Sequence, residues 1–212
     1  ADFQDRVPLR RFEDFWSNYW EPVFPHLTDC SWPGTIPYFA VTSGTTTGIT
    51  KFIPCSADMM ASNRKASFDL LTHHIHNRPD SRVLAGRSFM LGGSTDLIER
   101  APGIHSGDLS GIAVRELPWW VRPRYFPPQS LALIEDWEEK IDRLTDLSLK
   151  TDIRSISGTP SWLLIFFDKL ASMRPDDGPE LANYFPDLDL LIHGGVNFAP
   201  YRKRFDRLLT GS

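Results

Sequence analysis

The feature that most constrains this chain is a unit that occurs twice near its C-terminus. Ile153 to Ile156 is a short apolar run, Gly158-Thr159-Pro160 a tight turn, and Ser161 to Met173 a segment with helical periodicity. The order repeats with Leu188 to Ile192, His193-Gly194-Gly195, and Pro200 to Leu209. Strands that alternate with helices cannot pair as hairpins, so the pattern implies an α/β fold with a mainly parallel sheet and helices on both faces. Sheets of that kind bind ligands in the crevice beyond the carboxyl ends of their strands. Three turns occupy that position: Ser43 to Gly48, Gly158 to Ser161, and His193 to Asn197.

Upstream, Phe12, Phe15, Trp16 and Tyr19 recur at three- and four-residue intervals, which predicts a core-packing helix with four rings on one face. Tyr38 to Val41 and Lys51 to Pro54 read as short strands. Ser56 is a good N-cap for a helix running to about His76, with Met60, Ala66 and Leu70 at apolar positions. A strand is expected at Ser88 to Leu91. The stretch from Gly92 to Gln129, rich in Gly, Ser and Pro, reads as one long loop, and loops of that size are often functional. Leu133, Ile134, Trp137, Ile141 and Leu144 then give a surface helix whose other face carries Glu135, Glu138, Glu139 and Lys140.

With 41% hydrophobic and 24% charged residues over 212 positions, the chain can bury a real core, and one domain is the default. A net charge of -4 argues against a nucleic-acid partner, which would require a basic face. The longest apolar run, Trp162 to Phe167, falls far short of the ~20 residues of a membrane span, and the N-terminus has no basic-then-apolar signal pattern. A cytoplasmic protein is expected. Cys30 and Cys55 are too few for a disulfide framework and read as reduced thiols. Ala1 leads directly into apolar residues without an initiator methionine, which implies that upstream residues have been removed.

The chemistry concentrates in Ser43-Gly44-Thr45-Thr46-Thr47-Gly48-Ile49-Thr50-Lys51. Glycines let backbone N–H groups approach phosphate oxygens, hydroxyls add donors, and a lysine supplies balancing charge. The loop departs from the Walker A pattern: three residues separate Gly44 from Gly48, and Lys51 follows three places later. Spacing alone leaves a generic Gly/Thr turn equally open.

Ser43-Gly44-Thr45-Thr46-Thr47-Gly48-x-x-Lys51 resembles the Ser/Thr-Gly-rich ATP loop of acyl-adenylate-forming enzymes. More closely, the chain resembles the bacterial branch of the auxin-responsive acyl acid amido synthetase family. The resemblance rests on several segments in the family's order. Val7-Pro8 precedes an aromatic-rich helix, and the loop runs into Lys51-Phe52-Ile53-Pro54. Gly107-Asp108-Leu109-Ser110, Ser157-Gly158-Thr159-Pro160-Ser161-Trp162 and His193 to Tyr201 follow. It implies the ATP-dependent, Mg2+-assisted activation of a carboxylic acid as an acyl-adenylate, followed by amide formation with an amine or amino acid. By the same resemblance, Ser43, Gly44, Thr45, Thr46, Thr47, Gly48 and Lys51 would hold the triphosphate. Gly194, Gly195 and Val196 would line the adenine, and Pro160, Ser161 and Trp162 would flank the acyl pocket. For Trp162, whose neighbours are all apolar, a place in the core is the simpler reading.

Measured against that family, residues 1–212 would be part of an N-terminal adenylating domain without its C-terminal domain. The chain stops before the family's Tyr-x-Ser-Glu-type segment, so no catalytic residue or metal ligand can be assigned, and turnover by this piece alone is not expected. An acyl-CoA ligase of the same superfamily and a non-catalytic nucleotide-binding module are the alternatives. His73, His74 and His76 lack a further ligand for a metal site. Arg202, Lys203, Arg204 and Arg207 read as a solvated face, and Trp119-Trp120 as packing over the core. Neither the identity of the acid and amine nor the oligomeric state follows from the residues.

Overall fold

A computed structural model describes residues 2–42, 50–93, 95–132, 134 and 136–210. In chain order its elements are α1 (Asp2–Arg6), α2 (Phe12–Phe15), β1 (Tyr38–Thr42), β2 (Lys51–Cys55), α3 (Ala57–Asn77), β3 (Arg87–Leu91), β4 (Leu97–Ala101), β5 (Ile104–Gly107), α4 (Leu109–Arg115), β6 (Tyr125–Phe126), α5 (Gln129–Ala132), α6 (Trp137–Ser148), β7 (Ile153–Gly158), α7 (Pro160–Met173), α8 (Leu181–Tyr184), β8 (Leu190–His193) and α9 (Arg202–Leu208). Among the described residues no helix is long and apolar enough to cross a membrane.

The strands form two sheets. One has the order β6-β3-β7-β8 and is parallel throughout; this is the sheet expected from the repeated strand–turn–helix unit. Its strands are buried by α7, whose Leu163, Phe166, Phe167 and Leu170 face inward, and by Ile141 and Leu144 of α6. Phe89 of β3 meets the rings of Phe126 and Phe166 edge-on at 4.9 Å, the geometry aromatic quadrupoles prefer.

The second sheet, β2-β1-β5-β4, is mixed: β1 runs parallel to β5 but antiparallel to β2, and β4 to β5 is antiparallel. Strand alternation sends Tyr38 and Ala40 to one face, against Cys55, Met60 and Ile112. Phe39 goes to the other, with Leu27, Ile36 and Ile104. β4 and β5 fall inside Gly92 to Gln129, the stretch whose composition predicts a long loop, as do α4 and β6. Leu97-Ile98-Glu99-Arg100-Ala101 is too polar and too exposed to show a buried-strand pattern, and the hairpin is closed by a turn at Pro102-Gly103, where Gly103 has φ +78°.

Other expectations also change. The aromatic segment is α-helical only from Phe12 to Phe15 and continues as a π-helical turn over Trp16–Trp20. The wider turn brings residues four apart into line. Phe12, Trp16 and Trp20 therefore turn inward while Phe15 and Tyr19 stay exposed. α3 begins as expected, with the Ser56 hydroxyl accepting from the Met59 N–H at 3.1 Å. Of its 21 residues only Met60 is buried; Ala66 and Leu70 face solvent. α6 starts at its Asp136 cap, after Ile134, and Lys140 is buried rather than on the surface. Trp119 and Trp120 are exposed, and Trp120 stacks on Phe68 of α3 at 5.5 Å instead of covering the core.

Candidate functional site

Strand register decides where the turns meet. Leu91 of β3 lies opposite Gly158 of β7, and Gly158 lies opposite His193 of β8. Three adjacent parallel strands thus end level with one another, and the segments after them, Gly92-Gly93, Thr159-Pro160 and Gly194-Gly195, form one rim. The Gly194 N–H donates to the Gly158 carbonyl at 3.4 Å, closing the ladder at this edge.

The glycines of the rim differ in what they permit. A Cβ on Gly158 would lie 2.9 Å from the Leu91 carbonyl oxygen and 3.1 Å from Leu163 Cδ2, so this glycine lets β7 approach β3. At Gly194 an added Cβ would meet nothing within 4 Å, and at Gly195, with φ +85°, the backbone takes a conformation that side chains disfavour. The turn therefore exposes main chain to open space. Val196 beside it is exposed, and the imidazole of His193 stacks on the Phe198 ring at 3.7 Å, capping one side.

Pro160, Ser161 and Trp162 open α7 at the same rim. Pro160 is buried at the first helical position, where its missing N–H costs nothing. Trp162 corrects the expectation of a core residue, because it is 46% exposed. The helix turns Leu163, Leu164, Phe166 and Phe167 inward, and the three- and four-residue spacing leaves Trp162 and Ile165 on the outer face.

On the other side of the rim the two sheets meet. A Cβ on Gly92 would lie 2.8 Å from the Ser110 Cβ, and one on Gly93 would collide with the Asp108 carboxylate. Asp108 precedes α4 and follows β5, so the carboxyl end of β5 abuts that of β3. β1 runs parallel to β5, with Ala40 opposite Gly107, and Thr42 leaves its sheet at that same end. Ser43, Gly44, Thr45, Thr46, Thr47 and Gly48 lie outside the described residues. Lys51, on the returning strand β2, is described: its Nζ pairs with Glu13 Oε1 at 2.5 Å and sits 5.1 Å from the Phe12 ring. That hydrogen bond, with smaller contributions from nearby positive charge, lowers the Glu13 carboxyl below its ordinary range. The ammonium is thus balanced within the chain.

Lys140, which the amphipathic pattern of its segment predicts to face solvent, is buried. Burial pushes its ammonium below the ordinary lysine value, and the Asp108 carboxylate acts in the opposite direction. No local signal separates it from the Glu residues around it; only the packing of α6 shows it. Beyond α4 is a polar cleft of about 700 Å³, lined in part by Tyr38, Thr95, Asp96, Arg115 and Tyr125. There the Tyr38 hydroxyl donates to Glu116 at 2.6 Å, and burial pushes the Tyr125 phenol up to about 12.

Comparison with known proteins bears on the first part of the chain. Residues 1–96 match the GH3 family N-terminal domain. That stretch, less than half of the chain, contains the Ser43–Lys51 loop. Across 99% of its length the chain is similar to the solved structure of GH3.15 acyl acid amido synthetase, with a TM-score of 0.66 and 15% identity, and covers 46% of that structure. It is equally similar to AtGH3.15 acyl acid amido synthetase in complex with 2,4-DB, with a TM-score of 0.67, 15% identity, 99% of this chain and 45% of the other. At that identity the likeness is one of fold. The chain spans less than half the length of the structures it matches. A comparison with curated proteins found no match.

Proposed function

We propose that this chain supplies the nucleotide- and acid-binding part of an enzyme that activates a carboxylic acid with ATP and transfers the acyl group to an amine or amino acid. The observation that carries the proposal is the match of residues 1–96 to the GH3 family N-terminal domain, because that stretch includes the hydroxyl- and glycine-rich loop. Two things support it: a fold shared with two solved structures of GH3.15 acyl acid amido synthetase, one of them in complex with 2,4-DB, and a rim whose turns expose main chain.

In this reading Ser43, Gly44, Thr45, Thr46, Thr47 and Gly48 offer N–H and O–H donors to the triphosphate. Lys51 exchanges Glu13 for a phosphate oxygen. The exchange is accessible because an exposed ion pair stabilises by only about 0–1 kcal/mol. Gly194, Gly195 and Val196 receive the adenine, and Pro160, Ser161 and Trp162 border the acid. Adenylation brings a carboxylate up to a phosphate, so binding must hold two anions in line and offset their repulsion. Mg2+ contributes as the counter-ion of the triphosphate, and no residue of this chain is assigned to it. In this reading the reaction takes place in the cytoplasm.

The test is ATP–pyrophosphate exchange by the full-length protein across a panel of carboxylic acids. Exchange that depends on an acid, followed by amide formation when amino acids are added, is the expected result. No exchange with any acid would sink the proposal, and an acyl-CoA product would replace the amine by coenzyme A.

A further inference from the structure

Between Trp20, the segment from Leu27 to Ile36 and the start of α3 lies an open cavity of about 540 Å³ that shares no residue with the rim. Its volume lies within the ~300–1,000 Å³ of small-molecule sites. Trp20 and Trp32 flank it, with Leu27, Ile36, Ile53 and Met59 completing an apolar wall. Both indoles are held in place. The Trp20 N–H donates to the Ser31 hydroxyl at 2.6 Å, and its ring packs on Phe15 at 5.4 Å and Phe12 at 5.7 Å. The Trp32 N–H donates to Asp58 Oδ2 at 3.0 Å.

The charge of the lining is one-sided. Among the described residues that line the cavity, Asp58 is the sole ionisable side chain of a formal charge at neutral pH, and no Lys or Arg faces it. A carboxylate accepts several hydrogen bonds, so Asp58 can hold Trp32 and still receive a ligand N–H. Two indoles, apolar walls and one carboxylate disfavour an anion and favour a cation attached to an apolar group, by cation–π attraction, pairing with the carboxylate and burial of the apolar part. We propose that this cavity binds a small aryl- or alkylammonium ion, its apolar part against Leu27, Ile36 and Ile53 and its ammonium between Asp58 and the indoles. The carboxylic acid of the proposed reaction has the opposite charge and would not compete for it.

Cys30, exposed and lining the cavity, supplies a readout that needs no enzymatic activity; Cys55, fully buried, serves as the internal control. The probes are phenethylammonium, phenethyl alcohol and 3-phenylpropionate, which share an aryl chain and differ in charge. Phenethylammonium is expected to slow alkylation of Cys30 in a saturable manner and to bind in calorimetry, with 3-phenylpropionate doing neither and the alcohol binding less tightly. Asp58→Asn should weaken phenethylammonium about three- to fivefold, as for loss of an exposed ion pair, and leave the alcohol unchanged. Trp32→Ala, at a half-exposed position, should weaken both ligands. Equal protection by the anion, no saturable protection by the ammonium, or an Asp58→Asn protein that binds it as the parent does would each overturn the proposal. None of these outcomes depends on whether the chain binds ATP.

Discussion

Two glycines of the rim should respond in opposite ways to the same substitution, and the contrast separates packing from ligand binding. In Gly158→Ala the new methyl is pinned between the Leu91 carbonyl oxygen at 2.9 Å and Leu163 at 3.1 Å. Leu163 is fully buried and the oxygen belongs to the neighbouring strand, so neither can yield cheaply. Overpacking of this kind costs about 1–3 kcal/mol. The lower entropy of the unfolded alanine chain returns about 0.4–1 kcal/mol. A net loss of about 1–2 kcal/mol corresponds to a fall in Tm of roughly 2–8 °C for a chain of this length. In Gly194→Ala the methyl meets nothing within 4 Å, so only the entropic effect remains and Tm should hold or rise slightly. If a base lies flat on this turn, however, that methyl occupies its place, and ATP affinity should fall by about tenfold, or 1.4 kcal/mol. Thermal unfolding by circular dichroism and an ATP titration on each variant give both quantities. A Gly158→Ala protein that melts like the parent refutes the packing argument. A Gly194→Ala protein that keeps its melting point and binds ATP unchanged refutes the placement of the adenine.

The remaining predictions concern other elements. Ser56→Ala removes the cap of α3 and should destabilise the chain by about 1 kcal/mol, seen as a lower urea midpoint at unchanged slope. At Asp189 burial alone would raise the carboxyl, but the Ser81 hydroxyl, His74 and the Arg82 N–H outweigh it, and the net shift is below the ordinary 3.8. A lowered folded value gives stability that is present above pH 3.8 and lost as pH falls through the folded value, so Asp189→Asn should lower the urea midpoint at pH 7 and flatten its fall below about pH 4; parallel pH curves would refute this. Lys51→Met should weaken ATP binding, and Glu13→Gln, which frees Lys51, should tighten it by no more than the few-fold an exposed ion pair is worth; the same titration checks both, and an unchanged Lys51→Met would remove Lys51 from the phosphate site.

The parallel sheet was legible because its strands are buried and its turns carry Gly and Pro at the positions that demand them. Ile153 to Ile156 and Gly158-Thr159-Pro160 could hardly be read otherwise. The mixed sheet was legible only in β1 and β2. Glu99 and Arg100 belong to an exposed strand whose partner is set by a hairpin, and periodicity carries little signal when neither face of a strand is buried. The Pro102-Gly103 dipeptide was the available clue. For the candidate site, Gly158, Gly194 and Gly195 were legible as turns. That Gly92 and Gly93 belong to the same rim was not, because their role depends on Ser110 and Asp108 from the other sheet. Lys140 was misplaced for a similar reason: an amphipathic pattern assigns a charged residue to solvent, and only tertiary packing overrides it.

The contact between Gly93 and Asp108 shows how the carboxyl ends of strands in two separate sheets come to lie side by side. Within the parallel sheet, register alone brings the ends of β3, β7 and β8 level. The mixed sheet shares no strand with it, so the carboxyl end of β1 could have faced any direction. Three facts remove that freedom: β5 ends where β3 ends, because two glycines without side chains let Asp108 and Ser110 approach; β1 is parallel to β5; and β1 therefore leaves its sheet at the same end. Lys140, a buried residue of α6, supplies a positive charge toward Asp108 at the join. The arrangement accounts for a glycine pair that no turn geometry demands, and it makes the join between the sheets, rather than either sheet alone, the element that sets the width of the crevice.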